Sequence, residues 1–222
     1  MTGLVLLAAS PGAPLTTKRS QMAGARFRHS ASLQLTLALL AVVITPLTLG
    51  LFSHLFPEMP SKVTMLEVAR QVTIVQFLPV TLGLLLQKFG ANYAVAIARP
   101  LTLIANGLFV VLIVLACMVG LPLMFRVWGL PLVAIAIMVI VSLGIGHSLG
   151  GPDEEKRSIL AIACIARNVG LALFIAILND VQQQVMPTLI AYLVLGSVLG
   201  LPYSLWTKRK LAALPQNNAV KS

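Results

Sequence analysis

Long apolar runs set off by clustered charges constrain this chain more than any other feature. Stretches free or nearly free of charge cover residues 1–17, 30–57, 71–87, 100–125, 127–152, 158–179 and 181–207. A helix needs about 20 apolar residues to cross the hydrocarbon of a bilayer. Only 10% of the residues are charged, whereas soluble domains carry about 25%, so the chain cannot coat a water-facing surface. That excludes most soluble enzymes, nucleic-acid readers and disordered proteins. The runs are also too long and too uniformly apolar for the alternation of a membrane barrel. The expected fold class is an all-α integral membrane protein with about seven membrane segments. The third run is short and is expected to begin near Val68, with Arg70 reaching to the interface along its own aliphatic stem.

The formal net charge of +10 would suggest a nucleic-acid partner in a soluble protein. In a membrane chain it reflects basic loops facing anionic lipid. Lys18, Arg19, Arg26, Arg28, Lys88, Arg99, Lys156, Arg157, Lys208, Arg209, Lys210 and Lys221 fall on one side. Lys62, Arg70 and Arg126 fall on the other. This asymmetry places the C-terminus, with a tail at 208–222, in the cytoplasm and Met1 outside a plasma membrane of the bacterial inner-membrane kind. A chain that starts outside at its first span is expected to lack something upstream. The expected partners are membrane lipid and a small solute, without nucleic acid, and nothing in the sequence sets an oligomeric state.

Enzyme chemistry finds no foothold. Cys117 and Cys164 sit inside apolar runs and offer neither a disulfide framework nor a zinc cluster. His29, His54 and His147 are scattered near segment ends, no acid pair lies in a span, and no serine nucleophile motif appears. No metal site is expected. Asp153, Glu154 and Glu155 open the sixth segment, where acids suit the helix dipole, and no functional role is assigned to them. Ser142, Gly146 and Gly150 share one helix face, and Gly196 and Gly200 repeat the spacing. Small residues four apart let helices approach closely in lipid.

Two features call for more than packing. Pro11, Gly12 and Pro14 interrupt the first apolar run. Proline removes a backbone donor and clashes with the preceding turn, and a broken helix at membrane depth is tolerated where it lines a cavity or is buried in protein. A simple proline kink is the alternative reading. Arg167 lies near the middle of the sixth segment, where a guanidinium costs at least about 2.5 kcal/mol. It stands about ten residues, or about 15 Å of helix, from either end. No Asp or Glu shares its depth. Its partner must be the carbonyl end of a broken helix, another segment or an anionic ligand, unless backbone carbonyls hold it for packing alone. Asn168 beside it adds a donor and an acceptor. An interrupted early helix and a polar pair in a later one suit a secondary transporter, whose midplane site is built from discontinuous helices.

These motifs resemble the bile acid:sodium symporter family. Ser10-Pro11-Gly12-Ala13-Pro14 is similar to that family's cysteine-proline-glycine-glycine break. Ile44-Thr45-Pro46-Leu47, Gln76-Phe77-Leu78-Pro79 with Gly83, and Arg167-Asn168-Val169-Gly170 resemble later helices in the same order. The resemblance implies helices four to ten of a ten-helix inverted-repeat fold with two crossing, discontinuous helices, the first three being absent. It implies a transporter domain over 1–207, with core helices in 1–56 and 127–207 and panel helices in 66–121. It implies a secondary transporter that couples organic anions to sodium. Carried over by position, the binding residues are Thr16 and Thr17, followed by Lys18, then Arg167 and Asn168, with Ala163 where the family places a sodium-binding glutamate. The lost carboxylate and the added guanidinium make sodium coupling doubtful, and no other cofactor is expected. The alternative function is a membrane fragment, or an assembly or sensor subunit, that does not transport.

Overall fold

A computed structural model describes residues 2–56, 63–126 and 129–213. Most of the expected external loop, with Ser61 and Lys62, and the tail beyond 213 lie outside the described residues, as does the Cys117 side chain. Every described element is helical. In chain order they are α1 (Thr2–Ala8), α2 (Leu15–Met22), α3 (Phe27–Leu55), α4 (Met65–Val72), a π-helical turn (Thr73–Phe77), α5 (Leu78–Phe89), α6 (Ala91–Arg126), α7 (Leu130–Leu149), α8 (Glu154–Ile165), α9 (Val169–Leu178) and α10 (Gln182–Ala213). Among the described residues, six spans are long and apolar enough to cross a membrane. The first segment is not among them because α1 and α2 are short half-helices on either side of a break. With large apolar side chains exposed along almost every span, the chain is an integral membrane protein.

Several boundaries differ from those read off the charges. The third span starts at Met65, because Thr64 and Glu67 form a reciprocal capping box that satisfies the first-turn donors. Arg70 is therefore a full turn inside the helix, on its exposed side. The fourth helix starts at Ala91, before Arg99, and runs through Pro100. A proline costs one hydrogen bond there, whereas ending the helix would strip several backbone groups in lipid. The first six residues of the expected tail, 208–213, are the last turns of α10.

The core is formed by α1, α3, α4, α7, α8, α9 and α10, with Leu6, Leu49, Val68, Ile135, Leu171 and Leu189 buried together. Glycine decides the tightest contact. A methyl group at Gly146 would lie 2.7 Å from the Ala161 Cα, and one at Gly150 would lie 2.3 Å from the Arg157 Cα. The α7 and α8 backbones thus touch where the small-residue spacing anticipated a contact. Gly200 admits Ile165 in the same way, at 2.7 Å, but Gly196 has ordinary clearance. The α5 helix buries no residue in the rest of the chain.

The acidic run at the start of α8 ties three elements at one end of the bundle. Asp153 caps α8 by accepting from the Lys156 N–H at 3.0 Å, which holds its carboxyl below the usual aspartate range. Glu155 pairs with Arg26 at 2.8 Å and meets His29 at 3.2 Å. Glu154 pairs with Lys210 at 2.8 Å and Arg157 at 3.3 Å. Solvent screens ion pairs of this kind, so they position the α2–α3 turn, α8 and α10 rather than dominate stability.

Candidate functional site at two crossed helix breaks

The first break follows from its residues. Pro11 and Pro14 cannot donate backbone hydrogen bonds, and Gly12 has φ +76°, a left-handed conformation that favours glycine. A Cβ at Gly12 would also lie 3.0 Å from the Ala38 N of α3. Residues 9–14 accordingly leave the helix, and α2 begins again at Leu15 with Pro14 at its N-cap. The second break, Ala166–Asn168, contains neither proline nor glycine. Here Asn168 restarts the chain as α9 by accepting from the Leu171 N–H through Oδ1 at 3.0 Å.

The two breaks touch. The Asn168 N–H donates to the Ser10 carbonyl at 2.9 Å. Arg167 Nη1 reaches the Ala8 carbonyl at the end of α1, at a long 3.4 Å. Each break also receives one hydroxyl from a continuous helix that follows it. Thr45 of α3 donates to the Ala9 carbonyl at 2.6 Å, and Tyr192 of α10 donates to the Ile165 carbonyl at 2.9 Å. Both hydroxyls are buried, and they satisfy carbonyls that the interrupted helices leave without an intrahelical donor.

The residues singled out from the sequence divide between two neighbourhoods. Pro11, Gly12 and Pro14 form the first break, and Arg167 and Asn168 form the second. Thr16 is fully buried on α2, and its hydroxyl has no hydrogen-bond partner. Thr17 donates its hydroxyl to Gln34 Oε1 of α3. Lys18 turns away from the breaks, and its ammonium donates to Asn106 Oδ1 on α6. Asn106 shares a face of α6 with Arg99 and Thr102, and these line an open groove of about 500 Å³.

Arg19 takes the place expected of Lys18. Successive helix residues are turned by about 100°, so α2 sends these two cations in different directions. Arg19, Arg167 and Tyr192 line a small cavity with Ala13, Leu15 and Ala166. Arg19 Nη2 donates to Ser197 Oγ of α10 at 2.6 Å. Among the described residues, neither Arg19 nor Arg167 takes part in an ion pair with a carboxylate. Arg19 reads from sequence as an ordinary loop cation, and only its place on a half-helix separates it from Lys18.

The crossing presents a distinctive donor set. Hard cations prefer oxygen ligands, carboxylates above all. Among the described residues, the buried side-chain oxygens without a partner at the breaks are the neutral hydroxyls of Ser10 and Thr16. Asn168 Oδ1 is spent on the α9 cap, Ala163 supplies no oxygen from its side chain, and a fixed guanidinium stands alongside. These side chains offer a sodium ion no carboxylate.

Comparison with known proteins agrees with the architecture. The family model described as the sodium bile acid symporter family matches residues 1–126, which include the first break, α3 and the helices through α6. A comparison with curated proteins returns no match. The match covers more than half of the chain and carries the first of two crossed helix breaks; this membrane protein therefore belongs to the sodium bile acid symporter family, a family of transporters.

Proposed function

We propose that the chain is a secondary transporter of a small organic anion that works without sodium. The observation that carries this reading is Arg167 at the crossing of the two breaks, held by a long hydrogen bond to Ala8 and by the neutral Tyr192 hydroxyl, and by no carboxylate among the described residues. A permanent positive charge there does what a bound sodium ion would do for an incoming carboxylate or sulfonate. Two cations in one small site repel strongly at low dielectric, so the guanidinium and sodium exclude one another.

The groove on α6 suits the organic part of the substrate. It is an open face lined by α6 residues between Val95 and Asn106. Arg99 and the Lys18–Asn106 pair supply polarity along one wall. In this reading the helices of 66–121 form the panel, and those of 1–56 and 127–207 form the core that carries the crossing. The C-terminus faces the cytoplasm of a bacterial inner membrane. Without sodium's gradient, transport is facilitative or linked to protons.

The test is uptake of labelled taurocholate and labelled benzoate into proteoliposomes holding the full chain. Sodium is exchanged for potassium or choline at constant ionic strength. Uptake of either solute at rates unchanged by the exchange supports the proposal. A strong requirement for sodium refutes it.

A further inference from the structure

The cavity between Arg19 and Arg167 is too small for an organic solute. Its volume of about 10 Å³ is close to that of a single water-sized sphere. Yet two guanidiniums line it, brought there from α2 and from the second break. Arg167 Nε is buried and has no hydrogen-bond partner among the described residues, Nη1 makes a long 3.4 Å contact to Ala8, and the other neighbour of the guanidinium is the neutral Tyr192 hydroxyl. Arg19 spends Nη2 on Ser197, which leaves its other donors uncommitted among the described residues. Leu15, at the start of α2, adds the positive end of that half-helix. The Tyr192 hydroxyl, which interacts electrostatically with both arginines, already donates to Ile165.

Charge and size together narrow the occupant. A water molecule fits the volume but leaves two like charges facing each other in a low-dielectric site, where burying unpaired charge is costly. A single anionic atom turns that repulsion into two charge-assisted hydrogen bonds. We propose that this cavity binds one small anion, a halide such as chloride or one carboxylate oxygen of the organic substrate, bridged between Arg19 and Arg167. A monovalent anion leaves one net positive charge at the crossing. The inference concerns binding, so a transport assay that fails leaves it standing or falling on its own data.

The experiment uses the full chain in uncharged detergent, followed by thermal unfolding at fixed sodium and fixed ionic strength. Bulky gluconate is replaced stepwise by chloride, by bromide or by compact acetate. A ligand that binds only the folded state raises the melting temperature by mass action. The expected result is a saturable rise with chloride and bromide. Arg19→Gln and Arg167→Gln should each weaken the apparent halide affinity about 10- to 100-fold, and Arg19→Lys, which keeps the charge, should lose less. Bromide soaked into crystals of the unmutated chain should give an anomalous peak between the two guanidiniums, a readout that needs no variant to fold. A rise with acetate and none with halides keeps the anion site and assigns it to the substrate's headgroup. Equal melting temperatures in all four salts, or a halide-induced rise with the bromide peak only elsewhere, overturn the proposal.

Discussion

Replacing Thr45 with valine isolates one of the two hydroxyls that hold the crossing together. Valine keeps the branched shape of threonine and removes only the donor. Thr45 is fully buried, and its hydroxyl bonds the Ala9 carbonyl at 2.6 Å across the gap from α3 to the first break. The loss leaves a buried carbonyl without that donor, which costs about 1–3 kcal/mol. For a chain of this size each kcal/mol moves the melting temperature by about 2–4 °C, so Thr45→Val should lower it by about 2–12 °C. Thr36→Val is the matched control. Thr36 lies on the exposed side of the same helix, and its hydroxyl only back-bonds to Ser32 at 3.0 Å. That change should stay within about 0.5 kcal/mol, or about 2 °C. Thr45→Ser keeps the donor and should recover much of the loss. The assay is thermal unfolding of the three variants in one detergent, followed by tryptophan fluorescence. Equal shifts for Thr45→Val and Thr36→Val would refute the assignment of the buried hydroxyl to the break.

Arg167→Gln should weaken organic-anion uptake, and adding Ala163→Glu should make uptake respond to sodium; transport of the double variant with sodium exchanged for choline checks both. Gly146→Val should destabilise the α7–α8 contact by about 1–3 kcal/mol, because the added Cβ falls 2.7 Å from backbone, whereas Gly144→Val meets open space and should be tolerated. Asp153 has its carboxyl pKa lowered on folding, chiefly by the Lys156 N–H. The stability it contributes is therefore present above its unfolded pKa and lost as the pH falls through the lower folded value. Melting curves of the unmutated chain and Asp153→Asn should differ near neutral pH and converge in acid. A cysteine placed at Ser222 should react with impermeant reagents only from the cytoplasmic side, and labelling from outside intact cells would overturn the orientation.

The sequence by itself determined that this is a helical membrane protein, because hydrocarbon demands long uncharged runs and those runs are read directly from composition. It also marked where the first helix is interrupted, leaving a kink and a full break as the two readings. Pro11, Gly12 and Pro14 act locally, through a missing donor and a left-handed backbone, so no distant contact is needed to see them. The second break was different. Nothing in Ala166–Asn168 forbids a helix; taken by itself Arg167 announced only an expensive charge, and a break there was implied by the family resemblance alone. The chain opens there because partners arrive from elsewhere: the Ser10 carbonyl for the Asn168 N–H, and the Tyr192 hydroxyl for the Ile165 carbonyl. Helix ends at Met65 and Ala91 slipped past the charge boundaries for a related reason, since capping and lipid, rather than the nearest arginine, decide where a helix stops. The largest gap concerned the adjacent cations of α2. Lys18 and Arg19 are equivalent as members of a basic run, and only the half-helix's rotation sends Lys18 to Asn106 and Arg19 to the cavity beside Arg167. Which charge meets which depends on the packing of α2 between α8 and α10, a contact between residues far apart in the chain that local sequence does not encode.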